Sequence, residues 1–124
     1  MFEHYPDLRQ YFKGAENFTP DDVQISDRFA KQGQRLLLGT RIIVDTYDDL
    51  DTFKAYARET VNRHIKFKMD RNLWLVNFAF FTVMIEHLKE HTTIDVETEK
   101  AWLQIGKEFA DEAVKHSFDL NLPN

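Results

Sequence analysis

Apolar residues recur at the three- and four-residue spacing of an α-helix along almost the whole chain of 124 residues. This period places them on one face of each helix, whereas a half-buried strand shows them at every second position. Glycine occurs only four times, which is few for a sheet protein whose strands are joined by tight turns. The pattern therefore predicts an all-α fold, and the length fits a single domain over residues 1–124.

Capping residues divide this pattern into successive helices. Thr19 followed by Pro20 is typical of a helix start, because the hydroxyl accepts from a free backbone N–H and proline fits the first turn. We expect helices over residues 6–12, 20–47 with a break near Ser26 and Asp27, 48–64, 71–91 and 96–117. Residues 13–18 are expected to be irregular, and residues 121–124 to form a loose tail.

Charge and cysteine content exclude several classes of protein. A net charge of -5 disfavours nucleic-acid binding, which needs a basic field, so no nucleic-acid partner is expected. No apolar run reaches the roughly 18 residues of a membrane span, and no signal peptide begins at Met1. The chain has no cysteine, which excludes disulfides and thiolate chemistry. We expect no membrane partner and a cytoplasmic location, with extracellular fluid as the alternative.

Polar side chains on predicted buried faces are the first candidates for function. In the third helix, the apolar stripe that includes Ala57 and Val61 continues to His64. In the second helix, Gln32 lies on the inward face, one turn before Leu36. A neutral imidazole is a common ligand for iron, and an amide opposite it can donate a hydrogen bond to a bound gas. A histidine in the last turn also caps its own helix, so the spacing leaves both interpretations open.

The other histidines carry weaker patterns. His87 and His91 lie four residues apart beside Glu90, a spacing that can bind zinc. Positive charge is also favoured at helix C-termini, so this pair fits a capping role as well. His116 near the end of the last helix has the same capping interpretation, and His4 belongs to no pattern.

Several residues occur in an order that resembles the globin family. The match consists of Pro6, Phe12, Gln32, Gly33, His64 and Trp102. Within it, residues 29–38 resemble the distal helix of globins and residues 58–64 resemble the proximal helix. The likeness extends over essentially the whole chain and is strongest to nematode globins, both body-wall myoglobins and perienteric haemoglobins.

This resemblance implies a globin fold, a three-on-three helical sandwich around haem b, and reversible binding of oxygen for storage or transport. It implies that His64 is the ligand of the iron, that Gln32 hydrogen-bonds the bound oxygen and that Phe12 stacks on the haem. Other residues expected at the haem are Arg35, Leu36, Phe67 and Phe78, with Phe81 as a further candidate for the apolar wall.

The chain departs from the family at its start. Met1 falls inside the second of the family's eight helices, so we expect an N-terminally truncated domain. The sequence fits a fragment, a mis-started gene model or a genuine short form. In the last case the pocket would be open or completed by a second copy, through dimerisation or swapping. We expect no enzyme, although nitric oxide oxidation or weak peroxidase activity in the same pocket is an alternative. The second alternative is a helical interaction or sensor module without a cofactor.

Overall fold

The structure is a computed structural model that describes residues 2–122, apart from the side chains of residues 76–78. Its α-helices are α1 (Pro20–Ile25), α2 (Asp27–Asp45), α3 (Leu50–His64), α4 (Leu75–His91) and α5 (Val96–Asp119). Short 3-10 helices cover Pro6–Tyr11, Ile65–Phe67 and Arg71–Trp74. The residues described include no strand, and the predicted all-α fold is confirmed.

The chain divides into two compact units, Met1–Ile42 and Ile43–Asn124. In the first unit, Thr19 begins α1 with a reciprocal capping box. Its hydroxyl accepts the N–H of Asp22 at 3.2 Å, and the Asp22 carboxylate accepts the N–H of Thr19 at 2.9 Å. Ser26 has extended backbone and separates α1 from α2, so the predicted break is confirmed.

The irregular segment after the first 3-10 helix is held by two arginines. Arg9 donates from Nη1 to the carbonyl oxygens of Phe18 at 2.7 Å and Glu16 at 3.1 Å. Arg28 donates from Nη1 to the carbonyl of Lys13 at 2.6 Å. These bonds supply partners for carbonyls that have no helix to bond within. The sequence predicted the irregular segment but not these partners.

In the second unit, α3, α4 and α5 enclose an apolar core. Its buried members are Ile43, Phe53, Ala57, Phe81, Ile105 and Phe109. The Trp102 indole on α5 donates to the carbonyl oxygen of Phe81 on α4 at 2.8 Å. Phe81 also packs against Gly106, where an added Cβ would lie 2.6 Å from the phenylalanine Cγ. Glycine at this position therefore permits the close approach of α4 to α5.

The start of the fourth helical segment and the end of α5 differ in detail from the prediction. The fourth helical segment opens as the 3-10 helix Arg71–Trp74 before α4 begins. Helix α5 ends in a Schellman motif, in which Asn121 adopts a left-handed φ of 54° and the Leu122 N–H donates to the Ser117 carbonyl at 3.0 Å. Leu122 then packs against the buried cluster that contains Trp74. The expectation of a loose tail is therefore wrong for residues 121–122.

Candidate functional site

His64 is the last residue of α3, and its ring is oriented by its own helix. The Nδ1 atom lies 2.7 Å from the carbonyl oxygen of Thr60, one turn earlier. Because a carbonyl oxygen only accepts, Nδ1 carries the proton and a neutral ring has its free lone pair on Nε2. No described residue forms a hydrogen bond with Nε2. A histidine whose Nδ1 donates to a backbone carbonyl has the orientation and the tautomer to bind a metal through Nε2.

The half-buried His64 ring lines an apolar cavity of about 290 Å³ in the second unit. The cavity is lined by Val61, His64, Ile65, Lys68, Met69, Trp74 and Leu122. The edge of the Trp74 indole packs against His64, with ring centroids 5.4 Å apart. The Phe67 ring lies 5.7 Å from the His64 ring between centroids, and Phe67 is 48% exposed. An imidazole with a free Nε2 and apolar neighbours fits the requirements of a haem-iron ligand.

Apart from His64, none of the seven lining residues was among the sequence candidates. Met69 and Trp74 follow the end of α3, where the left-handed backbone of Lys68 (φ 52°) reverses the chain. Leu122 reaches the cavity through the Schellman motif at Asn121. The sequence signal for Leu122 was an asparagine just after a helix, since asparagine tolerates the left-handed conformation.

Phe81 and His116, two other residues considered in the sequence analysis, have different surroundings. Phe81 is 2% exposed in the helical core, 4.6 Å from Trp102 between ring centroids, and does not line the His64 cavity. The side chain of Phe78 lies outside the described residues. His116 donates from Nε2 to the side-chain oxygen of Asn62 at 2.9 Å, in keeping with a structural role.

The candidates in the first unit lie on α2 and on the segment before it. Gln32, Arg35 and Leu36 are three and four residues apart, so they share one face of the helix. Gln32 is half-buried, whereas Arg35 is exposed and Leu36 is 42% exposed. Arg35 borders a shallow groove with Lys31, Gln34 and Leu38.

Phe12 belongs to an aromatic cluster within the first unit. Its ring centroid is 5.0 Å from that of Phe2 and 5.7 Å from that of Phe29. Phe29 also contacts Phe18 at 5.8 Å. The cluster connects the first 3-10 helix to α2 and leaves the Phe12 ring partly exposed.

No helix in the described part of the chain is both long and apolar enough to cross a membrane.

Comparison with known proteins gives consistent matches over the chain. A model of the globin family matches residues 1–113, which extends across both units. A globin-like protein of Caenorhabditis briggsae is 48% identical over 123 residues, covering 99% of this chain and 75% of the relative. The myoglobin of Ascaris suum is 41% identical over 126 residues, covering 100% of this chain and 80% of the relative.

A solved structure agrees with these sequence matches. The globin-like protein of Caenorhabditis elegans superposes with a TM-score of 0.87 at 46% identity, covering 99% of this chain and 76% of that chain. The resemblance to nematode globins and the globin fold are thereby confirmed.

Proposed function

The chain belongs to the globin family, and on this premise we propose that it is a haem protein that binds oxygen reversibly for storage or transport. The observation that carries the proposal is the orientation of His64. Its Nδ1 is held by the Thr60 carbonyl, and its ring lines an apolar cavity.

We assign to His64 the role of iron ligand, through Nε2. The bond to Thr60 fixes the ring and its tautomer, and a protein carbonyl as second partner makes the imidazole a better ligand. When bound, ferrous haem supplies an open coordination position for oxygen or another diatomic gas. The chain has no cysteine for a covalent attachment, which favours non-covalently held haem b.

The apolar residues around His64 support the same role. Val61, Trp74 and Leu122 line the cavity beside the imidazole with apolar groups, and a low-dielectric site of this kind would protect ferrous iron against oxidation. Phe67 is a neighbour of the ring with half its surface available for contact with a flat apolar ligand. We keep Phe78 as a candidate for the apolar wall.

For the first unit, the proposal rests on the resemblance of α2 to the distal helix of globins. There Gln32 would donate a hydrogen bond from its side-chain amide to the bound gas, and Leu36 would contribute apolar contact. Arg35 would pair with a haem propionate, a role suited to an exposed guanidinium. Phe12 would stack on the porphyrin face.

The absorbance spectrum of the purified protein with haem tests the proposal. We expect stoichiometric haem uptake with a Soret band and a reversible spectral change on adding oxygen to the ferrous form. His64→Ala should abolish stoichiometric uptake, whereas His116→Ala, a histidine bonded to Asn62, should leave it unchanged. A His64→Ala protein with an unchanged ferrous spectrum would refute the assignment of His64. Failure of the unaltered chain to take up haem would favour a helical module without a cofactor.

A further inference from the structure

The last turn of α4 carries three exposed potential metal ligands. They are His87, Glu90 and His91. Their ligand atoms, one nitrogen or oxygen from each, all lie within 4.8 Å of one another. The two imidazole rings are 4.6 Å apart between centroids. We propose that these residues form a surface site for a divalent transition-metal ion, Zn²⁺ or Cu²⁺.

Helix geometry explains why these three ligand atoms lie close together. Residues three and four positions apart lie on the same face, so Glu90 and His91 both lie over the turn that carries His87. Two nitrogens bound to one tetrahedral Zn²⁺ are about 3.3 Å apart, so only small side-chain rotations are needed to close the site. All three side chains are exposed and free to make them.

The ligand atoms are also available. Neither imidazole forms a hydrogen bond with any described residue, and the same holds for the Glu90 carboxylate. By contrast, Lys89 is held by Glu86 at 3.4 Å and Glu99 at 3.2 Å. Lys89 is two residues from each histidine, which places it on the other side of the helix. The ammonium group of Lys89 is thus engaged by two carboxylates.

Position and charge favour a cation here. Helix α4 ends at His91, and the unpaired carbonyls of a C-terminal turn carry partial negative charge. The net charge of the chain is -5, which attracts cations in general. Two nitrogens and one carboxylate oxygen select borderline transition metals over Mg²⁺, which prefers oxygen ligands. Three protein ligands leave one tetrahedral position for water.

Calorimetric titration of the full chain with ZnCl₂ tests the site. We expect one zinc ion bound at this site, and His87→Ala or His91→Ala should each weaken its binding by about ten-fold or more. Glu90→Gln preserves shape and removes only the charged oxygen, so it should weaken binding by a smaller factor. Cu²⁺ should bind more tightly than Zn²⁺, and Mg²⁺ should not compete.

Two control variants separate this site from the other histidines of the chain. His64→Ala removes the imidazole in the cavity, and His116→Ala removes the one bonded to Asn62. Neither should change the affinity of the proposed site. A thermal shift gives a second readout, since Zn²⁺ bound to the folded state raises the midpoint of the unaltered protein but not of His87→Ala.

Unchanged zinc affinity in His87→Ala and His91→Ala, with folding verified by circular dichroism, would overturn the proposal. Loss of the same zinc binding in His64→Ala or His116→Ala would overturn it as well, because the ion would then lie elsewhere. Unchanged affinity in Glu90→Gln would remove Glu90 from the ligand set.

Discussion

The Nδ1 atom of His64 lies 2.7 Å from the carbonyl oxygen of Thr60, one turn earlier on the same helix. This bond fixes both the direction of the ring and the nitrogen that carries the proton. The remaining nitrogen, Nε2, is the one available to a metal. The candidate iron ligand is therefore oriented within a single helix, before any contact with other elements is considered.

Replacement of His64 by glycine removes the imidazole that we propose as the iron ligand. We expect His64→Gly to lose stoichiometric haem uptake and to regain it when free imidazole is added, because imidazole supplies the same lone pair without the covalent link. The measurement is the Soret absorbance with and without imidazole. His116→Gly is the matched control and should need no imidazole. Full uptake by His64→Gly alone would contradict the prediction.

Gln32→Leu should release oxygen faster. A neutral hydrogen bond contributes about 1 kcal/mol net, which corresponds to roughly a five-fold change in the dissociation rate. Stopped-flow mixing of the oxygenated protein with an oxygen scavenger gives this rate. Gln34→Leu is the control, since Gln34 lies two residues further along α2 and on a different face. Equal rates in Gln32→Leu and the unaltered protein would remove Gln32 from the proposed role.

Two glycine-to-alanine substitutions should have opposite effects on stability. At Gly106 the new methyl group would lie 2.6 Å from Cγ of Phe81, so we expect a net loss of about 1–2 kcal/mol. At Gly33 no described atom lies within 4 Å of the added carbon, so alanine should stabilise α2 by about 0.5–1 kcal/mol. Urea unfolding of the two variants measures both effects. A stabilised Gly106→Ala protein would show that α4 and α5 are not closely packed there.

The charge of Asp95 should stabilise the fold in a pH-dependent way. The carboxylate accepts the backbone N–H of Thr98 at 2.7 Å and also its hydroxyl, and these bonds lower the pKa of Asp95. A lowered folded-state pKa stabilises the fold above the ordinary value of about 3.9, and the effect is lost as pH falls through the lower one.

Asp95→Asn keeps the shape of the cap and removes its charge. It should be less stable than the unaltered protein at neutral pH, and the difference should shrink as pH falls and the Asp95 carboxylate becomes protonated. Asp119→Asn, at the opposite end of α5, should not destabilise, because a negative charge is unfavourable at a helix C-terminus. The measurement is the denaturant midpoint of each variant from neutral to acidic pH. A pH-independent difference for Asp95→Asn would contradict the assignment.

Asn121 should tolerate glycine but not valine. Its φ of 54° is left-handed, which costs a branched side chain about 1–2 kcal/mol and costs glycine nothing. Asn121→Val should therefore unfold at lower urea concentration, whereas Asn121→Gly should match the unaltered chain. Because Leu122 lines the His64 cavity, Asn121→Val should also weaken haem binding in an equilibrium titration. Equal stability of the two variants would show that the Schellman motif does not hold the chain end.

The sequence alone determined the helices and most of their ends. The caps at Thr19, Asp49 and Asp95 each bond a backbone N–H three residues along, so the interaction is complete within one short segment. The sequence also identified His64 as a candidate iron ligand. Its position in an apolar stripe and in the order of globin residues can be read without knowledge of distant contacts. The roles of His64 as iron ligand, of Gln32 in gas binding and of the other candidates in haem binding stay predictions.

Only the tertiary structure decided how distant residues meet. Leu122 lies against Trp74 in the cluster beside His64, and Trp102 bonds the carbonyl of Phe81 twenty-one residues earlier. Contacts of this kind depend on how whole helices pack, and many sequence positions satisfy the same apolar pattern. The pattern therefore identified the buried face of α3, whereas on α2 the predicted inward residue Leu36 is 42% exposed. The packing of the helices selected the partners of each residue.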